Sequence, residues 1–117
     1  MPRLISFALT TPQIRARTKT VTRRLGWLHA RVGDELRAVE KVQGRKKGEP
    51  LVDLARIRIV SVRRESLYDI TYEDVEREGY PDKTPGWFAT MFCAEMGCPF
   101  GPVTVTRIEF EYVEAEP

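Results

Sequence analysis

The chain has 117 residues, 42% of them hydrophobic and 31% charged, proportions that fit one globular domain over residues 1–117 and exclude a disordered chain. No apolar run approaches the roughly 18 residues of a membrane helix, and MPRLISFALTTP at the start lacks the make-up of a secretory signal, so a cytoplasmic protein without a membrane partner is expected. The net charge of +2 conceals an asymmetry: residues 1–47 carry 12 Lys or Arg against 3 acids, and residues 48–117 carry 7 against 14. Such a division favours an anionic partner, nucleic acid first, unless the two halves pair with each other in the fold.

LISFAL (4–9) suits a strand. Thr11 then reads as a helix N-cap, with Pro12 in the first helical position. That helix is brief, because the β-branched TKTVT that follows does not favour its continuation. ELRAVEKV (35–42) fits a strand and GRKKGEP (44–50) a polar turn. LARIRIVSVRRE (54–65) alternates, with Ile57, Ile59 and Ser61 on one face and Arg58, Val60 and Val62 on the other. Residues 68–80 hold a helix capped by Thr71, with Asp74 in the third position of a partial capping box. Gly79 ends that helix and Pro81 blocks its continuation. Residues 84–96 form a second helix carrying Trp87, Phe88, Met91 and Phe92. VTVTRIEFEYV (103–113) is a strand with Val105, Arg107, Glu109 and Glu111 opposite Thr104, Thr106, Ile108, Phe110 and Tyr112. Strands interleaved with short helices predict an α+β fold, a small barrel with flanking helices.

Residues 15–27, RARTKTVTRRLGW, concentrate the chemistry. Arg15, Arg17, Lys19, Arg23 and Arg24 supply donors suited to phosphate, and Trp27 offers either a stacking surface for a base or a core side chain. A Lys–Thr pair is useful because a hydroxyl needs a base to become a nucleophile. In a regular strand through 19–23, Lys19 and Thr22 point to opposite faces, so their convergence calls for a turn or helix there. Neighbouring arginines and burial lower the basicity of Lys19, whereas a nearby carboxylate raises it. The acidic run EDVERE (73–78) reads by default as a solvated helix face, but Glu78 sits at the helix end, where the dipole disfavours an anion. Cys93 and Cys98 are expected to be free thiols, since a disulfide does not suit a reducing compartment and His29 alone cannot complete a zinc site. No nucleotide-binding loop or hydrolase triad is present, and no metal or cofactor is expected.

The motifs K-T-V-T-R-R (19–24), V-G-D-E-L (32–36), I-R-I-V-S-V-R-R-E (57–65), I-T-Y-E-D-V-E-R-E-G-Y-P (70–81), W-F…M-F (87–92) and V-T-R-I-E-F-E-Y (105–112) resemble, in order, those of the ASCH domain family, relatives of the PUA RNA-binding fold. Where that family usually has Gly two residues before the motif lysine, this chain has Arg17. The resemblance implies a small PUA-like β-barrel with short flanking helices and a basic cleft for RNA or modified nucleosides. One bacterial branch is similar to an amidohydrolase that removes acetyl from N4-acetylcytidine with a Lys, a Thr and a Glu. The implied counterparts are Lys19, Thr22 and Glu78, with Glu76 as the fallback.

Two functions follow. In the first, Thr22 attacks the acyl carbon of an N4-acylcytidine-type amide, Lys19 moves the proton and Glu78 supports it. Arg23 or Arg24 then holds an anionic or carbonyl oxygen, and Arg15, Arg17, Thr20 and Trp27 contribute to binding. In the second, the basic cleft binds RNA or another nucleic acid without chemistry, or cleaves RNA without a metal. The sequence leaves the oligomeric state open.

Overall fold

A computed structural model describes residues 2–44, 46–98 and 100–114. The predicted turn at 44–50 therefore includes one residue, 45, outside the described set. Five strands form one sheet in the order β1-β3-β4-β5-β2: β1 (Arg3–Ser6), β2 (Val21–Arg24), β3 (Glu35–Val39), β4 (Asp53–Ser66) and β5 (Thr104–Tyr112). Only β1 and β3 run parallel; the other pairs are antiparallel. The sheet curls into a half-barrel, the α+β PUA-like arrangement. Its two edge strands, β1 and β2, each pair on one side only.

Three short helices complete the fold: α1 (Thr11–Arg15), α2 (Tyr72–Arg77) and α3 (Pro85–Met96). The Thr71 hydroxyl accepts from Asp74 N–H at the start of α2, and the Thr84 hydroxyl accepts from Trp87 N–H at the start of α3, each satisfying a donor that the helix cannot. The capping box at α2 does not close, because the Asp74 carboxylate is engaged by arginines instead. At α1 the cap is Thr10, one residue before the expected Thr11. The Thr10 carbonyl accepts the first helical bond, from Ile14 N–H, while the Thr11 hydroxyl donates back to the Phe7 carbonyl at 2.9 Å.

The sheet separates two apolar clusters. Ile5, Phe7, Ile14, Leu36, Ile57, Ile59, Ile108 and Phe110 form one, and Leu67, Ile70, Val75, Phe88, Phe92, Val103 and Val105 form the other. The β5 alternation holds: Ile108 and Phe110 join the first cluster and Val105 the second. The β4 alternation does not hold throughout. Its register with β5 slips between Ile59 and Ser61, so Val60 is an extra residue and every later side chain changes face. Val62 therefore packs with Ile57 and Ile59, opposite to expectation, and Val60 is exposed.

The two cysteines also depart from expectation. Cys93 and Cys98 form a disulfide that ties the last turn of α3 to the chain beyond Gly97. Their Cα atoms lie 4.7 Å apart, within bridging distance, because Gly97 turns left-handed at the helix end. No described helix is long and apolar enough to cross a membrane.

Candidate active site

The candidate site lies beside β2. The turn that was expected between Lys19 and Thr22 falls earlier, at residues 16–17, where Arg17 adopts a left-handed backbone with φ 60°. Phe110 N–H already donates to the Thr20 carbonyl, so Thr22 stands in a regular strand. Lys19 lies just before this ladder, with its N–H directed to the Gln13 carbonyl. The argument from alternation fails here because β2 is an edge strand: a cavity beside its open edge is lined from both of its faces. Lys19, Thr22, Arg23, Arg24 and Glu78 all line it.

The cavity measures about 120 Å³. That is the liquid volume of about four waters, enough for one small heterocycle and well short of the several hundred Å³ of a large-ligand pocket. Phe7, Tyr80, Phe88 and Phe92 supply aromatic lining, and Leu9, Met91 and Met96 supply aliphatic lining. Leu9 and Met96 are also exposed, which places them toward solvent. Sequence reading missed these wall residues as site residues, although 84–96 was read as a helix bearing Phe88, Met91 and Phe92.

Glu78 caps the C-terminus of α2 and is 2% exposed. Lys19 Nζ donates to Glu78 Oε1 at 2.7 Å and to the Glu78 carbonyl at 2.8 Å. Gly79, at φ 105°, turns the chain directly after it. A Cβ there would lie 2.8 Å from Gln13 Cγ, whose amide donates to the Gly79 carbonyl. The helix end, and Glu78 with it, is thereby clamped against α1. Glu76, the fallback, is exposed and does not line the cavity. Burial pushes the Lys19 amine below its ordinary pKa; Glu78 opposes this, while Arg24 and Arg23 add to it.

Arg23 and Arg24 differ sharply. Arg23 is completely buried and donates to Glu78 Oε2 (3.2 Å), Glu65 Oε2 (2.9 Å) and Asp74 Oδ2. Asp74 also accepts from Arg77 and Arg107. Burial pushes the Asp74 carboxyl up, but hydrogen bonds from Arg107 and Arg23 outweigh it and hold the group well below the carboxylate range. Arg23 thus lines the cavity while carboxylates hold its two terminal nitrogens. Arg24 forms no ion pair among the described residues. Its Nε donates to Thr22 Oγ1 at 3.0 Å and its Nη2 to the Ser6 carbonyl at 2.6 Å, and the guanidinium lies 4.9 Å from the Phe7 ring. Burial pushes its pKa down to about 10. Arg23 Nε is the only described buried side-chain nitrogen or oxygen without a partner. No hydrogen bond joins Arg24 Nη1 to another described residue.

Four expected binding residues lie elsewhere. Arg15 is exposed, and Arg17 pairs with Glu114 and stacks over Tyr112. Thr20 belongs to the ladder with β5, and Trp27 packs against the first apolar cluster beneath Arg3. None of the four lines the cavity. Part of the charge asymmetry is spent inside the molecule: Lys19, Arg17, Arg23 and Arg37 from the basic half pair with Glu78, Glu114, Asp74 and Asp53 from the acidic half. Among the described residues, no three His, Cys, Asp or Glu side chains converge as a metal site.

No protein-family model matches the sequence, and no curated protein matches it. Solved structures do. An ASCH domain from Lactobacillus crispatus JV V101 superposes with a TM-score of 0.66 at 19% identity, covering 94% of this chain and 78% of that one. A protein of Enterococcus faecalis V583 with the family model DUF984 gives a TM-score of 0.70 at 16% identity, covering 97% and 77%. The ASCH resemblance read from the motifs therefore holds at the level of the fold.

Proposed function

We propose that the cavity beside β2 binds a base-sized acylated amine, of the N4-acylcytidine type, and hydrolyses its amide. The observation that carries this reading is the buried Lys19–Glu78 pair lining one cavity with Thr22. A neutral lysine amine has two N–H donors and one lone pair. Glu78 takes two donors from Nζ, so in the neutral amine the lone pair remains to accept a proton from Thr22. The depressed basicity of Lys19 raises the share of that form.

The chemistry proceeds in two balanced halves. Thr22 Oγ1 gives its proton to Lys19 and bonds to the acyl carbon, and the carbonyl oxygen becomes an oxyanion stabilised by the Arg24 guanidinium that lines the same cavity. As the C–N bond breaks, the Lys19 ammonium returns the proton to the departing amine, releasing a cytidine-type product. Water then attacks the threonyl ester, giving a proton to Lys19 and restoring the hydroxyl as the carboxylic acid leaves. Glu78 orients the amine throughout.

The alternative, a basic cleft for an RNA strand, draws less support. The cavity admits one ring, and two of its three cations, Lys19 and Arg23, are already matched by carboxylates. Purified protein incubated with N4-acetylcytidine should release cytidine, and Thr22→Ala should reduce the rate at least 10³-fold while KM changes little. Undiminished hydrolysis by Thr22→Ala would end the nucleophile assignment.

A further inference from the structure

The arginine held by carboxylates has its own task. Glu78 offers two carboxylate oxygens: Lys19 holds Oε1 at 2.7 Å, and Arg23 holds Oε2 at 3.2 Å. Arg23 is itself fixed by Glu65 on β4 and by Asp74 on α2, and Asp74 is fixed in turn by Arg107 on β5. We propose that Arg23 is a positioning residue: by gripping the second oxygen of Glu78, it prevents that carboxylate from committing to Lys19 alone and leaves Lys19 able to exchange a proton with substrate. The proposal rests on the amidohydrolase reading of the same cavity.

The surroundings of Lys19 leave few other groups for this task. From β2 it faces Arg23 and Arg24, and from the end of α2 it faces Glu78. Tyr80 also lines the cavity, and Tyr112 on β5 donates its hydroxyl to the Lys19 carbonyl. Glu65, Asp74 and Arg107 act at one remove, through Arg23. The segment after β1 contributes Ser6 to Thr10 and α3 contributes Phe88, Met91, Phe92 and Met96, none of them ionisable. Arg23 is thus both the cation that competes for Glu78 and one that repels the Lys19 ammonium directly. Removing it strengthens the hold of Glu78 on the ammonium and ends that repulsion. Both changes favour the protonated, inactive base.

The test is nuclear magnetic resonance of ¹³C-labelled lysine, which resolves the side-chain signals of the chain's five lysines, with Lys19 assigned by Lys19→Arg. Its titration midpoint should lie below the other four. Arg23→Gln should move it up toward them, and Arg23→Lys, which keeps the charge, should largely restore it. Glu65→Gln, near the surface, frees Arg23 to lean on Glu78 and should lower the midpoint further, which keeps the test decisive if Arg23→Gln does not fold. At pH 7 hydrolysis by Arg23→Gln should fall at least about tenfold and recover at higher pH with KM little changed. A Lys19 midpoint unmoved by Arg23→Gln and Glu65→Gln would overturn the proposal, as would one moved equally by Arg23→Lys. If the parent protein hydrolyses no acylated cytidine, the amidohydrolase reading fails, while the titrations still decide what Arg23 does.

Discussion

The two faces of β2 carry adjacent arginines with opposite fates. Arg23 points to the side of α2, where Asp74, Glu78 and Glu65 surround it. Arg24 points to the side of β1, where it meets the Ser6 carbonyl, the Thr22 hydroxyl and the Phe7 ring but no carboxylate. Burial alone disfavours both cations. The carboxylates reverse that for Arg23, whose pKa is raised, whereas for Arg24 burial outweighs the opposing charge of Glu78 and lowers it to about 10. One face of the strand is therefore a neutralised structural knot, and the other presents an uncompensated cation beside the proposed nucleophile. Placement of acids, more than the density of basic residues, separates scaffold from chemistry here.

The strongest way to break this division is to remove the acid at the centre of the knot. Asp74→Asn leaves Arg23 and Arg107, both buried, short of one charge partner, and should cost about 3–5 kcal/mol in urea unfolding. The pH dependence follows from the same residue. The Asp74 pKa in the folded protein is depressed below its unfolded value near 3.9, so its stabilisation is complete above that value and drains away as pH falls below about 4. The variant should lose this acid-linked component and show a flatter stability profile below pH 4. Parallel acid profiles for the two proteins would mean that Asp74 does not anchor the knot.

A paired substitution sharpens the comparison. Arg23→Met takes a shared, buried cation from Glu65, Asp74 and Glu78, each of which keeps one other cation or more, and should destabilise by about 3 kcal/mol. Arg24→Met removes a cation whose lowered pKa means that the fold disfavours its charge. Relief of that burial offsets the two lost hydrogen bonds, so stability should stay within about 1 kcal/mol. Hydrolysis should nevertheless fall about 10²-fold, because the oxyanion loses its donor. Equal destabilisation by the two substitutions would erase the distinction between the faces.

The features legible in the sequence were those with local causes. Thr71 caps its helix because its hydroxyl meets an N–H three residues on, and the β5 pattern holds because no bulge interrupts that strand. The features that escaped depend on contacts distant in sequence. The bulge at Val60 is defined only against β5, and the split between Arg23 and Arg24 needs α2 to be docked on one side of β2. The same holds for the pairing of the two charged halves, since ion pairs such as Lys19–Glu78 and Arg17–Glu114 join residues far apart in the sequence. Among the proposed catalytic residues, Lys19 and Glu78 are 59 positions apart. Each was singled out locally, but only the family resemblance joined them, because local spacing could not.

Arg17 offers the mildest test, at the margin of the same motif. A left-handed backbone costs a side-chain-bearing residue about 1 kcal/mol, which glycine avoids. Glycine returns most of this through the greater freedom of the unfolded chain, about 0.5–1 kcal/mol. The exposed ion pair with Glu114 is worth at most about 1 kcal/mol, and the stacking over Tyr112 adds little at an exposed site. Arg17→Gly should therefore change stability by no more than about 1 kcal/mol and leave hydrolysis unaltered. Arg17→Val, whose branched side chain resists φ 60°, should cost about 1–3 kcal/mol. A loss of hydrolysis in Arg17→Gly with stability intact would extend the functional surface from β2 into the preceding turn, and would return Arg17 to the substrate side of the division.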